Sequence, residues 1–465
     1  MDRRSFLIGS ASAAGAALMR PAWPAASLQP ALVRPAELRS SNGVLSATIS
    51  AAPGPVQLGD LAFPGMLYNG AYLPPLLRVR LGDTLRINFR NALPDDASNL
   101  HFHGMSVSPQ GASDNVFVHV HPGGAFDYEV RIPARGRQGP GLFWYHPHMH
   151  GVVDKQILGG MSGALVVEGM DEIYPLVKGL SERFFLFKHR ELNDRQVVSI
   201  NGQLEPLVDM QPGELQFWRI ANIGAEQFLR LRIDGMPLYV LATDGHPLSR
   251  PRKAAQLFIG PGERVDAIAI GPQPGDYALG TVSFQNEAWR KPDAAQRLAT
   301  IVSRGAPSAG ADVERSVLAA RLAAANWVDE VRAAPIAQRR TLTYSRTDDR
   351  KVFMINGHVM AEDRVDTTVR LGDTEEWTIV NTDQQYHSFH IHQTPFLVTE
   401  VNGVRQDEGS LRDTFSVPPA TAAGDGVLKV VIAFTDPVIV GRFVYHCHAV
   451  DHEDKGMMGV IEVRA

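Results

Sequence analysis

The sequence predicts an all-β protein: three consecutive β-sandwich domains, with a short helical linker before the third. A segment that recurs three times, a motif that recurs twice and strand-like alternation between turn residues carry that expectation. At 465 residues the chain has room for about three domains of roughly 100–200 residues each.

The threefold repeat runs as follows. MLYNG at 66–70 precedes RVRLGDTLRINFRN at 78–91. VSING at 198–202 precedes MQPGELQFWRIAN at 210–222, and FMING at 353–357 precedes TVRLGDTEEWTIVN at 368–381. Gly82, Gly213 and Gly372 each stand nine residues before an asparagine, Asn91, Asn222 and Asn381. After each Gly-containing turn, apolar and polar residues alternate, as half-buried strands require. The twofold repeat pairs GLFWYHPH at 141–148 with GRFVYHCH at 441–448, so Pro147 stands where Cys447 stands. The first and last thirds are therefore two versions of one domain. The middle third keeps strands, as in FLRLRIDGMPLYVLATDG at 228–245, but has no His-x-His pair. The expected domains span 40–170, 171–306 and 332–465. Between the last two, ADVERSVLAARLAAANWVDEV at 311–331 sets Val313, Val317, Leu318, Leu322 and Ala325 near helical spacing, predicting a helical linker over 307–331.

The N-terminus reads MDRRSFLIGSASAAGAALM. Arg3-Arg4, then Phe6-Leu7, then a mild Ala/Gly-rich run match a twin-arginine export signal over 1–27, cleaved between Ala17 and Ser27. That layout implies the twin-arginine export machinery as a partner and a periplasmic location. The route carries folded proteins, which suits one that needs a cofactor. Composition excludes other classes. Net charge is −5 with pI about 6.3 and no basic stripe, against nucleic acid as a partner. No run of 18 apolar residues predicts a membrane span. One cysteine excludes an internal disulfide framework. A monomer is expected.

Eight of the 16 histidines form four His-x-His pairs at matching positions of the first and last thirds: His101/His103, His146/His148, His390/His392 and His446/His448; His119/His121 shares the spacing but falls outside these positions. On a strand, residues two apart face the same way, so each pair aims two imidazoles in one direction. A lone strand histidine is usually structural; four pairs at matching positions of duplicated domains are a metal-binding pattern. Parity sorts the rest. Cys447 lies between His446 and His448 and faces the other way, as does His387 relative to its pair. His452 and Met457 follow at loop spacing.

Two imidazoles, a thiolate and a weak axial thioether form a blue-copper electron-transfer set: His387, Cys447, His452 and Met457. Zinc also takes Cys and His, but a thioether favours copper. The eight paired histidines, with no carboxylate, suit several coppers: two ligands for one and three for each of two more. Cys447 then joins both sites by a covalent route of sulfur, backbone and imidazole. Four electrons collected at the cluster are the number that takes dioxygen to water.

HFHG at 101–104, WYHPHMHG at 144–151, HSFHIH at 387–392 and HCHAVDHEDKGM at 446–457 resemble the four copper motifs of the multicopper oxidases, in the family's order. The resemblance implies three cupredoxin-like Greek-key sandwiches, four coppers per chain, and oxidation of a small-molecule or metal-ion electron donor by dioxygen. It assigns His101 and His390 to type 2 copper. His103, His146 and His448 go to one type 3 copper; His148, His392 and His446 go to the other. His387, Cys447 and His452 take type 1, with Met457 axial, favoured by spacing over Met458. The family places its cluster between the first and third domains. Asp114 and Glu453 resemble proton-relay carboxylates, and Asp383 one that orients a type 1 imidazole; the plain alternatives are a turn-forming aspartate and a solvated glutamate.

No Met-rich cluster lies between 330 and 465, which points away from a dedicated cuprous oxidase and toward laccase-like oxidation of phenols and aromatic amines. A copper nitrite reductase, with two domains and a single His-ligated catalytic copper, fits the three domains and four pairs poorly. A non-catalytic copper-binding protein or a ligand-free scaffold is the other alternative. His150 follows the second pair with the right parity for the cluster. His119, His121, His189, His246 and His358 read as surface or loop residues.

Overall fold

The structure, a computed structural model, describes residues 29–192, 195–308, 312–323, 327–407 and 409–465. The export signal expected over 1–27 lies outside the described residues. Among the described residues, no helix is long and apolar enough to cross a membrane.

Six sheets pair into three sandwiches, each closed on its own apolar core. The first packs a five-stranded sheet (Glu37–Arg39, Leu76–Val79, Gly163–Val167, Gly141–His146, His101–His103) on a four-stranded one (Leu61–Tyr68, Val44–Leu58, Thr84–Asn91, Ala125–Arg131). The second and third each pack a six-stranded sheet on a five-stranded one. One parallel pairing recurs in all three: Val44–Leu58 with Thr84–Asn91, Ser181–Leu192 with Leu215–Asn222, and Gln338–Arg346 with Thr374–Asn381.

The sequence repeat has a local cause in each copy. Asn69-Gly70, Asn201-Gly202 and Asn356-Gly357 all hold positive φ at both residues, the requirement of a two-residue turn that suits the strands' twist. Gly82, Gly213 and Gly372 also sit at positive φ. The buried asparagine of each repeat is a lock. Asn91 donates to the carbonyls of Asp96 and Val120, Asn222 to those of Gln227 and Ile259, and Asn381 to those of Gln385 and Pro418.

The linker departs from expectation. It forms two short helices, Val313–Ala319 and Trp327–Ala333, rather than one stretch. The amides of Leu322 and Ala323 donate instead to Ser249 and Ile173 carbonyls, so tertiary bonds replace the helical ladder there. Val317 is buried while Leu318 is exposed; Ala325 lies outside the described residues.

Candidate metal centre

The strand register gathers the histidines. His101 pairs with His146 across neighbouring strands of the first sandwich, and His390 pairs with His446 in the third. Cross-strand partners on one face lie close enough for two imidazoles to share a ligand. Only His101/His103 falls wholly within a strand; His148, His392 and His448 lie just past strand ends. The two sandwiches then meet. His101 stacks on His392 at 3.8 Å and His103 on His390 at 3.9 Å between ring centroids. All eight imidazoles are buried.

The ring nitrogens divide into held and free. His101 Nδ1 lies 3.0 and 3.1 Å from the Asp114 carboxylate oxygens. His146 Nδ1 faces the Pro147 carbonyl and His390 Nδ1 the Asp413 carbonyl, each at 2.8 Å. The opposite Nε2 of His101, His146 and His390 has no hydrogen-bond partner. His148 Nε2 and His392 Nε2 each lie 3.2 Å from His446 Nε2, and His103 Nδ1 lies 3.1 Å from His448 Nε2. Two neutral imidazole nitrogens can approach so closely only around a shared proton or a metal.

Burial first, then the neighbouring imidazoles, hold His103, His146, His148, His390 and His392 well below the usual histidine range, and bring His448 to about 3. Neutral imidazole is the metal-ligating form. Orphaned buried nitrogens in an all-imidazole set fit copper. Ligand atoms of His148, His392 and His446 lie within 4.8 Å of one another; so do those of His101, His103 and His146 and of His101, His390 and His392.

A second set forms on the far face. His387 Nδ1 lies 3.4 Å and His452 Nδ1 3.5 Å from Cys447 Sγ, which also accepts from the Ser388 amide. Burial pushes the Cys447 thiol up to about 12; a metal cation reverses this, since a coordinating thiol is deprotonated. Met457 packs in the core that holds Cys447, whereas Met458 packs with Val116, Val444 and Val460, which separates the two candidates. Phe353 stacks on the half-buried His452 at 4.2 Å, while His387, Cys447 and Met457 have no exposed surface. His452 sits on a short helix, Val450–Asp454, rather than in a loop.

The three carboxylates predicted beside the centre are all buried. Asp114 touches His101 and accepts from the Phe102 amide and Gln393 Nε2. Glu453 Oε2 is 3.0 Å from His446 Nδ1 and Oε1 is 3.6 Å from His148 Nε2. Burial raises the Glu453 carboxyl, and His446 outweighs burial to leave it below the usual range. Asp383 accepts from Arg346 and Gln385 and lies 3.7 Å from His387 Nε2. There too His387 and Arg346 outweigh burial and hold the carboxyl down.

Among the other histidines, His119, His121 and His358 are exposed as expected, and His150 is half-buried. His189 and His246 are strand residues, 7% and 3% exposed, which corrects their reading as surface or loop residues; burial lowers both to about 4. Sequence reasoning missed Gln393, Thr414, Asp413 and Arg264, which stand behind the ligands; none lies in a repeated motif.

Three cupredoxin-like sandwiches with a buried Cys/His set and an eight-histidine cluster define a copper redox protein. Family profiles described as multicopper oxidase match residues 55–172, 144–306 and 334–465, and the chain belongs to the multicopper oxidase family and is an oxidoreductase. It is 24% identical over 462 residues to the multicopper oxidase mco of Staphylococcus aureus, covering 91% of this chain and 90% of that one. It is 26% identical over 495 residues to the cell division protein FtsP of Rahnella sp., covering 99% and 98%. A solved multicopper oxidase from Campylobacter jejuni, described as a metallo-oxidase, superposes with a TM-score of 0.78 at 24% identity, covering 94% of this chain and 96% of that one.

Proposed function

We propose that this oxidase couples one-electron oxidation of a phenol, aromatic amine or reduced metal ion to four-electron reduction of dioxygen to water, using four coppers. The single observation behind the reading is the presence of all twelve donor residues, in two sets joined by consecutive residues His446, Cys447 and His448. Copper bound at His387, Cys447, His452 and Met457 would supply one-electron oxidation, and copper bound at the eight paired histidines would supply dioxygen reduction.

His101 and His390 would hold type 2 copper. His103, His146 and His448 would hold one type 3 copper, and His148, His392 and His446 the other. The protein's own part is positioning, water exclusion and proton supply. His452 is the ligand with an exposed edge, so the donor meets the chain there, over Phe353. Asp383 fixes His387 from behind. Asp114 and Glu453, each against a cluster imidazole, relay protons for water formation. The N-terminal Arg3-Arg4 pattern supports periplasmic action after twin-arginine export.

The test is oxygen uptake by copper-loaded protein, with the visible spectrum recorded, against a phenol, cuprous ion and ferrous ion. A blue protein that consumes oxygen is expected, and the relative rates name the donor class. A blue protein inert with every donor would remove the oxidase mechanism. It would favour the division-type role that the name of the Rahnella relative suggests, or copper binding alone.

A further inference from the structure

The second sandwich supplies none of the twelve donors, yet one of its side chains reaches the back of the cluster. Arg264 begins the strand Arg264–Ile270 and is completely buried. Its guanidinium grips Asp413 of the third sandwich with two bonds, Nη1 to Oδ1 at 2.7 Å and Nη2 to Oδ2 at 2.6 Å. Nε donates to the Leu142 carbonyl of the first sandwich at 3.2 Å, and Nη1 also to the Gly262 carbonyl. One side chain thus ties three domains together.

Asp413 passes that restraint to the histidines. Its Oδ1 lies 3.1 Å from His103 Nε2, and its backbone carbonyl accepts from His390 Nδ1 at 2.8 Å. Thr414 Oγ1 donates to the same carboxylate and lies 3.1 Å from both His103 Nε2 and His390 Nδ1. A carboxylate on one imidazole nitrogen fixes tautomer and ring orientation and leaves the other nitrogen as the base. The bases so defined are His103 Nδ1, which faces His448, and His390 Nε2, which is otherwise unpartnered.

Two glycines make room for this arrangement. Gly104, at φ +83, would carry a Cβ into the Arg264 guanidinium and 2.6 Å from Asp413 Oδ2. Gly262, at φ +88, would carry one 3.1 Å from His103 Cε1 and 3.2 Å from His448 Cδ2. The glycine that closes HFHG is therefore needed for the ion pair behind the cluster as well as for its turn. A buried bidentate pair holds its geometry as a unit, and lysine cannot reproduce the fork.

We propose that Arg264 of the ligand-free second domain is a positioning residue for the eight-histidine cluster, acting through Asp413 to orient His103 and His390 toward copper. The proposal rests on the reading of those histidines as copper ligands. It gives the second domain a role at the centre without a donor of its own.

The test uses full-length protein with Arg264→Lys, Arg264→Met and Gly104→Ala, the last displacing the ion pair while keeping both partners. Copper per chain, the blue absorption, the paramagnetic resonance of type 2 copper and apo-protein unfolding are measured after copper loading. In each variant the blue copper is retained, because Arg264 touches none of His387, Cys447, His452 or Met457. Affinity for the remaining copper falls ~10–100-fold, as for other residues that orient metal ligands, and the type 2 resonance is altered, with Lys between wild type and Met. Wild-type levels of non-blue copper and an unchanged resonance in Arg264→Met or Gly104→Ala would overturn the proposal. Proportional loss of blue and non-blue copper would also overturn it, since Arg264 would then only hold the fold; Lys and Gly104→Ala decide if Met does not fold. Absence of non-blue copper from the wild-type protein would instead defeat the cluster reading.

Discussion

The asparagine that ends each repeat is a stability element in every domain, but only in the third does it also brace Asp383, which lies behind His387 of the proposed blue-copper set. Asn381 is fully buried. It donates to the Gln385 and Pro418 carbonyls, each at 2.8 Å, and accepts from the Asp383 amide at 2.9 Å. Asn381→Ala leaves two carbonyls and one amide without partners, at about 1 kcal/mol each, or roughly 3 kcal/mol in all. That lowers the unfolding transition of the third sandwich by roughly 10 °C. Asp383 and Gln385 are both released, and Asp383 backs His387, so the blue band of copper-loaded protein weakens or shifts as well. Asn91→Ala is the control. It breaks the matching bonds to Asp96, Val120 and the Leu93 amide, with a similar stability loss and an unchanged blue band. Calorimetry of the apo-protein and visible spectra of the loaded protein are the assays. Equal spectral change in both variants, or no stability loss in Asn381→Ala, would refute the reasoning.

Asp114→Asn slows oxygen reduction while leaving reduction of the blue copper by the donor intact, as stopped-flow measurement of the two half-reactions would show; equal slowing of both would defeat the proton-relay role. Met457→Leu keeps the blue absorption and raises the type 1 potential in redox titration, because it removes a thioether, whereas Met458→Leu leaves the potential unchanged. Glu182 gives the pH dependence. Burial raises its carboxyl, but Arg219 and Arg78, each 2.6 Å away, outweigh burial and bring it down to about 2. Its folded value is below the ordinary 4.5, so its stabilisation is present above about 4.5 and is lost as pH falls toward 2. Glu182→Gln therefore costs on the order of 3 kcal/mol at pH 7. The difference from wild type shrinks in denaturant titrations between pH 5 and 3.

Much of this fold was legible because duplication writes the same local physics three times. Asn-Gly at positive φ, a glycine turn and a buried asparagine nine residues on are each dictated within a few residues of chain. The donors were legible for a related reason. Spacing two apart sets direction on a strand, and the register that places His101 beside His146 and His390 beside His446 keeps that direction into the adjoining turns. The linker misled because helical spacing is a local signal. The amides of Leu322 and Ala323 are spent on Ser249 and Ile173, which no window of sequence around them contains. His189 and His246 misled in the same way, since isolated histidines give no sign of what packs over them.

What stands behind the donors follows a different rule. Arg264 and Asp413 are 149 residues apart, and their pairing exists only because three domains converge on one point. A first-and-third-domain cluster has eight rings from two bodies to align, and the stacked pairs and the Gln393–Asp114 bond join those two bodies directly. A bidentate ion pair from a third body, anchored also on the Leu142 carbonyl, adds a restraint behind His103 and His390. On the proposed role of Arg264 the second domain contributes to the centre without a donor of its own, and the residue that makes room for that contribution is Gly104, a residue of the first domain.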